Sequence, residues 1–291
     1  MRESYGIDRR RNPGFFALSR IVVAVTLVCI LGPILYIFSL SIRTERTVYQ
    51  DTLLLIPKEV THQNYPKAWN LAKDRLGVDF LEMFRNSVVV TVCSIALAIA
   101  VAVLSAFSFS HFRFKGKEAL FSTIIASYVV PAQVLLIPLF FIMVRLKVLN
   151  TYLAVILPYV GFCVPIATLI LRSFFEQIPY EIKEAAIIDG ARNSQILMRV
   201  VLPLSASALA TCIILLFLET WNEFLYAMVF LQKPVFQTIP VAIAKIAGGR
   251  FQLPLGTYGA AIMITILPVL VIFVVFQKWF VAGVTMGALK G

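Results

Sequence analysis

Six stretches of this chain contain no Asp, Glu, Lys or Arg: residues 21–42, 86–112, 119–144, 148–171, 200–218 and 251–277. Together they make up about half of the 291 residues, so all 26 Lys and Arg and all 15 Asp and Glu are crowded into the other half. A water-soluble domain does not segregate charge in this way. A helix that crosses a bilayer needs roughly 20 apolar residues, because it must satisfy its backbone hydrogen bonds internally across about 30 Å of hydrocarbon. Every stretch is long enough to do so. The pattern excludes a soluble enzyme, a nucleic-acid-binding domain and a disulfide scaffold, and predicts an all-α polytopic membrane protein with six transmembrane helices.

The predicted helices run over 21–40, 86–110, 120–144, 152–171, 200–227 and 257–277. The net charge of +11 belongs to cations that flank these spans, where anionic lipid head groups of the bilayer, rather than nucleic acid, are the partner. Cys29, Cys93, Cys163 and Cys212 all lie inside charge-free stretches without metal or disulfide spacing, so they act as small apolar residues. Arg9, Arg10 and Arg11 precede an apolar run too long for a secretory signal, which makes that run the first span. Those arginines with Arg20, and the short segment Arg113-Phe114-Lys115-Gly116-Lys117, set a cytoplasmic N-terminus. An even helix count then puts both termini in the cytoplasm. The expected organisation is a cytoplasmic segment 1–20, a transmembrane domain 21–291 with extracytoplasmic loops 43–85 and 232–256, a cytoplasmic loop 173–199 and a cytoplasmic tail 278–291. A short surface helix is expected near 65–71.

Catalytic patterns are absent. The only histidines are His62 and His111, and the chain has no His-Glu-x-x-His, no Gly-x-Ser-x-Gly and no Gly-x-x-x-x-Gly-Lys-Ser/Thr phosphate loop. No nucleophile and base constellation stands out, so no enzymatic role is expected. If the protein moves a solute uphill with ATP, another chain must hydrolyse the nucleotide.

The loop 173–199 reads as helix, turn, helix. Pro179 suits a first helical turn, Glu181 favours the positive end of the helix dipole, and Gly190 suits the left-handed residue that closes it. Asn193 or Ser194 can cap the next helix. Ile182, Ala185, Ala186 and Ile188 form an apolar stripe with small residues at its centre, with Glu181, Lys183 and Glu184 expected to face elsewhere. Such a helix fits either a docking knob for a cytoplasmic protein or an amphipathic connector on the lipid surface.

Glu184-Ala185-Ala186, then Asp189-Gly190, then Val200-Val201-Leu202-Pro203 resembles the Glu-Ala-Ala loop of permease subunits of bacterial ATP-binding-cassette (ABC) importers. Ile178-Pro179, Trp221-Asn222-Glu223-Phe224, the stretch 61–65 and the terminal run from Gly283 to Gly291 are similar to the MalG-type carbohydrate permeases. The similarity covers roughly residues 15–291. It implies the type I ABC importer permease fold, an inner-membrane location and import of a sugar or oligosaccharide by alternating access. MalG-like permeases also serve glycerol phosphate or related polyols, and nothing in the sequence separates these ligands. The resemblance further implies a second homologous permease subunit, two ATPase subunits that bind ATP and Mg, and an extracytoplasmic solute-binding protein touched by 232–256. No cofactor is implied on this chain. Glu184, Ala185, Ala186, Asp189, Gly190 and Pro203 would couple to an ATPase, with Lys290 and Gly291 reaching toward the ATPase pair.

The fifth span carries Glu219 and Glu223, and an ionised carboxylate facing lipid is costly, so both should face protein or water. Residues 200–231 would measure about 48 Å as one helix, more than the hydrocarbon is thick, and Pro203 is expected to end the cytoplasmic piece. Glu219, Trp221 and Asn222 then fall in the outer half of the membrane. These groups, with Gln133 beside Pro131 and Pro138, fit either a sugar path, since aromatic faces and acceptors suit sugars, or hydrogen bonds that hold neighbouring helices. Pro158 and Pro165 in the fourth span permit bending.

Overall fold

A computed structural model describes residues 13–50, 55–247 and 254–288. Within them the chain is helical, and the one β-type pairing is an isolated antiparallel bridge between Arg43 and Val60. The helices are α1 (Pro13–Ser41), α2 (Glu45–Gln50), α3 (Asn64–Leu76), α4 (Phe80–His111), α5 (Lys117–Val129), α6 (Ala132–Arg145), α7 (Leu153–Phe175) and α8 (Tyr180–Ile188). They continue as α9 (Asn193–Ile196), α10 (Leu202–Leu204), α11 (Ala206–Trp221), α12 (Leu225–Phe230), α13 (Ile239–Ala247) and α14 (Leu255–Ala288). Phe16–Ser41, Phe80–His111, Leu153–Phe175 and Leu255–Gln277 are each long and apolar enough to cross a membrane.

The other two expected spans are broken. The third divides into α5 and α6 at a 98° bend. Val130 and Pro131 both have extended ψ values, 120° and 124°, because a residue before proline is pushed out of the helical region and proline itself offers no N–H to continue the ladder. Pro138, Pro158 and Pro165 stay inside uninterrupted helices. The fifth span bends by 78° between Asn193–Leu204 and Ala206–Trp221. Its break lies at Ser205 (φ −104°, ψ 19°), two residues beyond Pro203. Upstream, Leu197–Val201 forms a wide π turn, which relieves the crowding that a proline ring imposes on the carbonyl four residues before it. Instead of running to Ala227, this span ends at Trp221 and restarts at Leu225.

Element ends also moved. The first helix begins by Pro13, inside the expected N-terminal segment, and α4 begins at Phe80 rather than near Asn86. The last helix continues to Ala288, so the expected tail is helical as far as that residue, while Lys290 and Gly291 lie outside the described residues. The expected 65–71 helix is α3, and the expected 232–256 loop contains a 3-10 turn, Pro234–Phe236, and α13.

The chain divides into two compact units, one from residues 1–69 with 250–264, the other from 70–249 with 265–291. In the first, the start of α14 crosses the end of α1 at two glycines. A Cβ at Gly256 would sit 2.6 Å from the Asn64 amide and 3.1 Å from the Arg43 carbonyl, and one at Gly259 would meet Ser41 N at 3.1 Å. Only glycine admits backbones this close. Asn64 Nδ2 uses the proximity to donate to the carbonyls of Ser41 and Arg43.

The second unit is built on α4 and α7, which carry two apolar clusters. One joins Ala98–Phe107 of α4 to Cys163–Phe175 of α7 and to Ile196, Val201 and Cys212. The other, toward the opposite ends, joins Val90 to Ala154–Tyr159, Phe230 and Val241. By contrast α5 buries no residue within the chain, and its outward apolar side chains suit lipid or another membrane chain.

Candidate functional site

Two places in the second unit hold most of the described residues singled out from the sequence: the turn at α8 and a cavity beside α11.

At the first, Pro179 precedes α8, Asp189 ends it and Gly190 follows with φ +79°. The Ala191 N–H donates to the Ala186 carbonyl at 2.9 Å and the Gly190 N–H to Ile187 at 3.0 Å. This is the Schellman arrangement, which requires a left-handed residue at the glycine. The next helix is capped by Gln195, whose Oε1 accepts the Arg192 N–H at 2.8 Å, and not by Asn193 or Ser194.

The orientation of α8 differs from the expected stripe. Its one buried side chain is Lys183, 5% exposed, with Nζ donating to the Phe175 carbonyl at 2.9 Å. An ammonium at the last turn of α7 satisfies a carbonyl that has no intrahelical partner and complements the helix dipole. Burial holds the Lys183 amine below the usual lysine range, with Glu176 opposing the shift. Ala186 and Ala191 pack against the apolar cluster. Ile182, Ala185, Ile187 and Ile188 point outward, Ile188 being 79% exposed, together with Glu181, Glu184, Asp189 and Gly190. Thus α8 is fastened to α7 through a lysine and shows to the outside an apolar face of three isoleucines with Ala185 between them. Nearby, Arg172 of α7 donates to Glu118 of α5 through its two Nη atoms at 2.8 and 3.1 Å and to Glu176 through Nε at 2.7 Å, and lies 4.0 Å over the Phe121 ring. Pro203 sits in α10, just after the buried Leu197 and Val201.

The second place is a cavity of about 480 Å³. The α5–α6 bend contributes Tyr128, Pro131 and Gln133, α7 contributes Tyr159 and Phe162, and the segment around the end of α11 contributes Glu219, Glu223 and Tyr226. The structure therefore brings Gln133, Glu219 and Glu223 together, and leaves Trp221 and Asn222 out. Trp221 is buried, stacked on Phe217 at 5.4 Å and edge-on to Phe84 at 5.8 Å. Asn222 is exposed and donates to the Leu218 carbonyl.

The two carboxylates differ in their surroundings. Glu223 accepts from the Tyr226 N–H at 2.8 Å, the Ala227 N–H at 3.1 Å and the Tyr159 hydroxyl. It caps the first turn of α12, which explains why the helix restarts there. Glu219 is exposed and accepts from the Tyr128 hydroxyl at 3.3 Å. Glu223→Ala is expected to cost about 2 kcal/mol, since it strips three donors of their acceptor, whereas Glu219→Ala should stay within about 0.5 kcal/mol; melting of the purified protein measures both. Sequence reasoning missed Tyr128, Tyr159 and Tyr226. Their signal was faint: tyrosines within the predicted spans, where a hydroxyl withdrawn from water needs a partner, as Tyr226 finds in the Ala132 carbonyl at 2.6 Å.

Two long apolar helices at the core, two broken spans beside them and an outward helix–glycine turn are the frame of a polytopic membrane subunit. The family of binding-protein-dependent transport system inner membrane components matches residues 94–286. The chain belongs to that family and is a multi-pass inner-membrane permease. It is 37% identical over 272 residues to the sulfoquinovosyl glycerol transport system permease protein SmoH of Agrobacterium fabrum, covering 93% of each chain. It is 33% identical over 283 residues to the trehalose transport system permease protein SugB of Mycobacterium tuberculosis, covering 97% of this chain and 99% of that one. Among solved structures, a bacterial ABC transporter that imports the acidic polysaccharide alginate matches with a TM-score of 0.81 and 26% identity, over 93% of this chain and 98% of that one.

Proposed function

We propose that this chain is one of two permease subunits of an ABC importer that moves a sugar or oligosaccharide by alternating access. The observation that carries the coupling role is the outward apolar face of α8, with Ala185 at its centre, fixed by the Gly190 turn and the Lys183 bond. The small Ala185 side chain admits close approach by a partner between the flanking isoleucines, and the fixed base lets α8 pass a push to α7 rather than absorb it. Glu184, Ala185, Asp189 and Gly190 form the surface that seats in an ATPase subunit, and Lys290 and Gly291 extend toward the ATPase pair. ATP and Mg bind on those partners, which perform the hydrolysis. An extracytoplasmic binding protein delivers the sugar, both termini are cytoplasmic, and Gln133 and Glu219 line the path. Coupling then requires that each orientation of the cavity favour a different ATPase arrangement.

The test is Ala185→Trp. Because Ala185 is exposed, the bulky ring leaves the fold intact and blocks the docking face. The expected result is unchanged melting, loss of the ATPase subunits on purification, and uptake reduced by about tenfold or more. Full copurification and normal uptake of this variant would overturn the coupling role.

A further inference from the structure

The cavity wall carries acidic groups and aromatic rings. Among the described residues its lining contains two carboxylates, Glu219 and Glu223, and no Lys, Arg or His. Glu223 accepts from three donors and is half-buried, while Glu219 accepts one long bond and is exposed. Tyr128 donates to Glu219, and the same wall carries the Phe162 ring and the Gln133 amide.

We infer that Glu219 makes this chain's wall of the path a charge filter, which admits uncharged or amine-bearing glycans and rejects those with a carboxylate, sulfonate or phosphate. The inference rests on the proposed sugar path and adds to it the charge class of the substrate. A carboxylate with free lone pairs accepts sugar hydroxyls, and aromatic rings cover the sugar C–H faces. An anionic sugar in the same space meets a like charge with no cation on this wall to offset it, in surroundings of lower dielectric than water. Such a repulsive element discriminates between partners alongside the attraction that favours the right one. Likeness in fold therefore does not carry substrate charge with it. Alginate is acidic and a sulfoquinovosyl group bears a sulfonate, yet the wall described here suits neither.

The test uses the assembled importer in membranes, with the four native cysteines replaced by alanine and Gln133→Cys introduced as a reporter on the cavity wall. A cationic methanethiosulfonate reagent should modify this cysteine about tenfold faster than its anionic sulfonate counterpart, each rate taken relative to a free thiol. Maltose should slow the modification, and its uronic acid, with one CH2OH oxidised to carboxylate, should not. Adding Glu219→Gln should cut the reagent preference by about threefold or more and allow the acid to protect. Equal reagent rates, a preference that Glu219→Gln leaves unchanged, or protection by the acid equal to that by maltose would each overturn the filter. Protection by neither sugar alongside an intact cationic preference marks failure of the path itself, and removes the filter as a statement about substrate.

Discussion

Replacement of Gly190 by valine is expected to abolish most uptake while leaving substrate capture by the external binding protein intact. Gly190 holds φ +79°, and a Cβ built there meets no atom within 4 Å, so the effect comes from backbone strain and not from a clash. A β-branched residue in that region costs about 1–3 kcal/mol. The cheapest escape is to unwind the end of α8, which breaks the bond from the Ala191 N–H to the Ala186 carbonyl and lets the outward face tilt. A loss of this size in a coupling free energy corresponds to about 5- to 150-fold. Gly190→Asn is the control, because asparagine tolerates the left-handed region; it should retain most of the uptake. Measurement of both variants in the same cells separates conformation from side-chain size, and normal transport by the valine variant would remove this turn from the mechanism.

The second large effect is on stability. Asn86 is fully buried near the start of α4 and joins three segments: Nδ2 donates to the carbonyls of Val235 at 2.8 Å and Gln237 at 3.0 Å, and Oδ1 accepts from the Tyr152 hydroxyl at 2.6 Å. The neighbouring Ser87 Oγ accepts the Ile239 N–H at 2.9 Å. These bonds fasten the 3-10 turn and the start of α13 to α4 and α7. Asn86→Leu preserves bulk but leaves two carbonyls and one hydroxyl without a partner, at about 1–3 kcal/mol for each group that water cannot reach. Since Val235 is itself exposed, water restores part of the loss, and the net cost is about 3 kcal/mol. Tyr152→Phe removes a single bond and keeps the ring contact with Phe236, so it should cost about 1 kcal/mol. Melting of the purified importer gives both values. Protease nicking of 232–247 should rise in Asn86→Leu, and equal melting of the two variants would show that Asn86 is not the clamp.

Some features were legible in the residues and others were not, for definable reasons. The Pro179 and Gly190 punctuation located α8 because both residues act through their own backbones, without help from distant contacts. Lys183 was misread. A charged residue between apolar ones ordinarily marks a solvated face, and only the arrival of the Phe175 carbonyl at the end of α7 gives an inward lysine a partner. The bend at Val130-Pro131 was written in the sequence no more strongly than Pro138 or Pro165, which sit inside continuous helices. Proline supplies the opportunity to bend, and the packing on either side decides whether it is taken. In the same way Glu219 and Glu223 are identical in type, four residues apart and both on the cavity wall, yet one is held by three donors from α12 and α7 while the other accepts a single long bond.

The sequence by itself determined that this chain crosses a membrane, roughly where, and that a short helix ending in glycine interrupts it between the fourth and fifth spans. Hydrophobic length and local backbone preference are one-dimensional properties, so they survive without a structure. Only the tertiary structure decided which face of that helix looks outward, where the third and fifth spans break, and which polar groups share a cavity. Those outcomes depend on hydrogen-bond partners that are distant along the chain, as Asn86 is from Gln237 or Tyr159 from Glu223, and a buried polar group commits to one role only when its partner arrives.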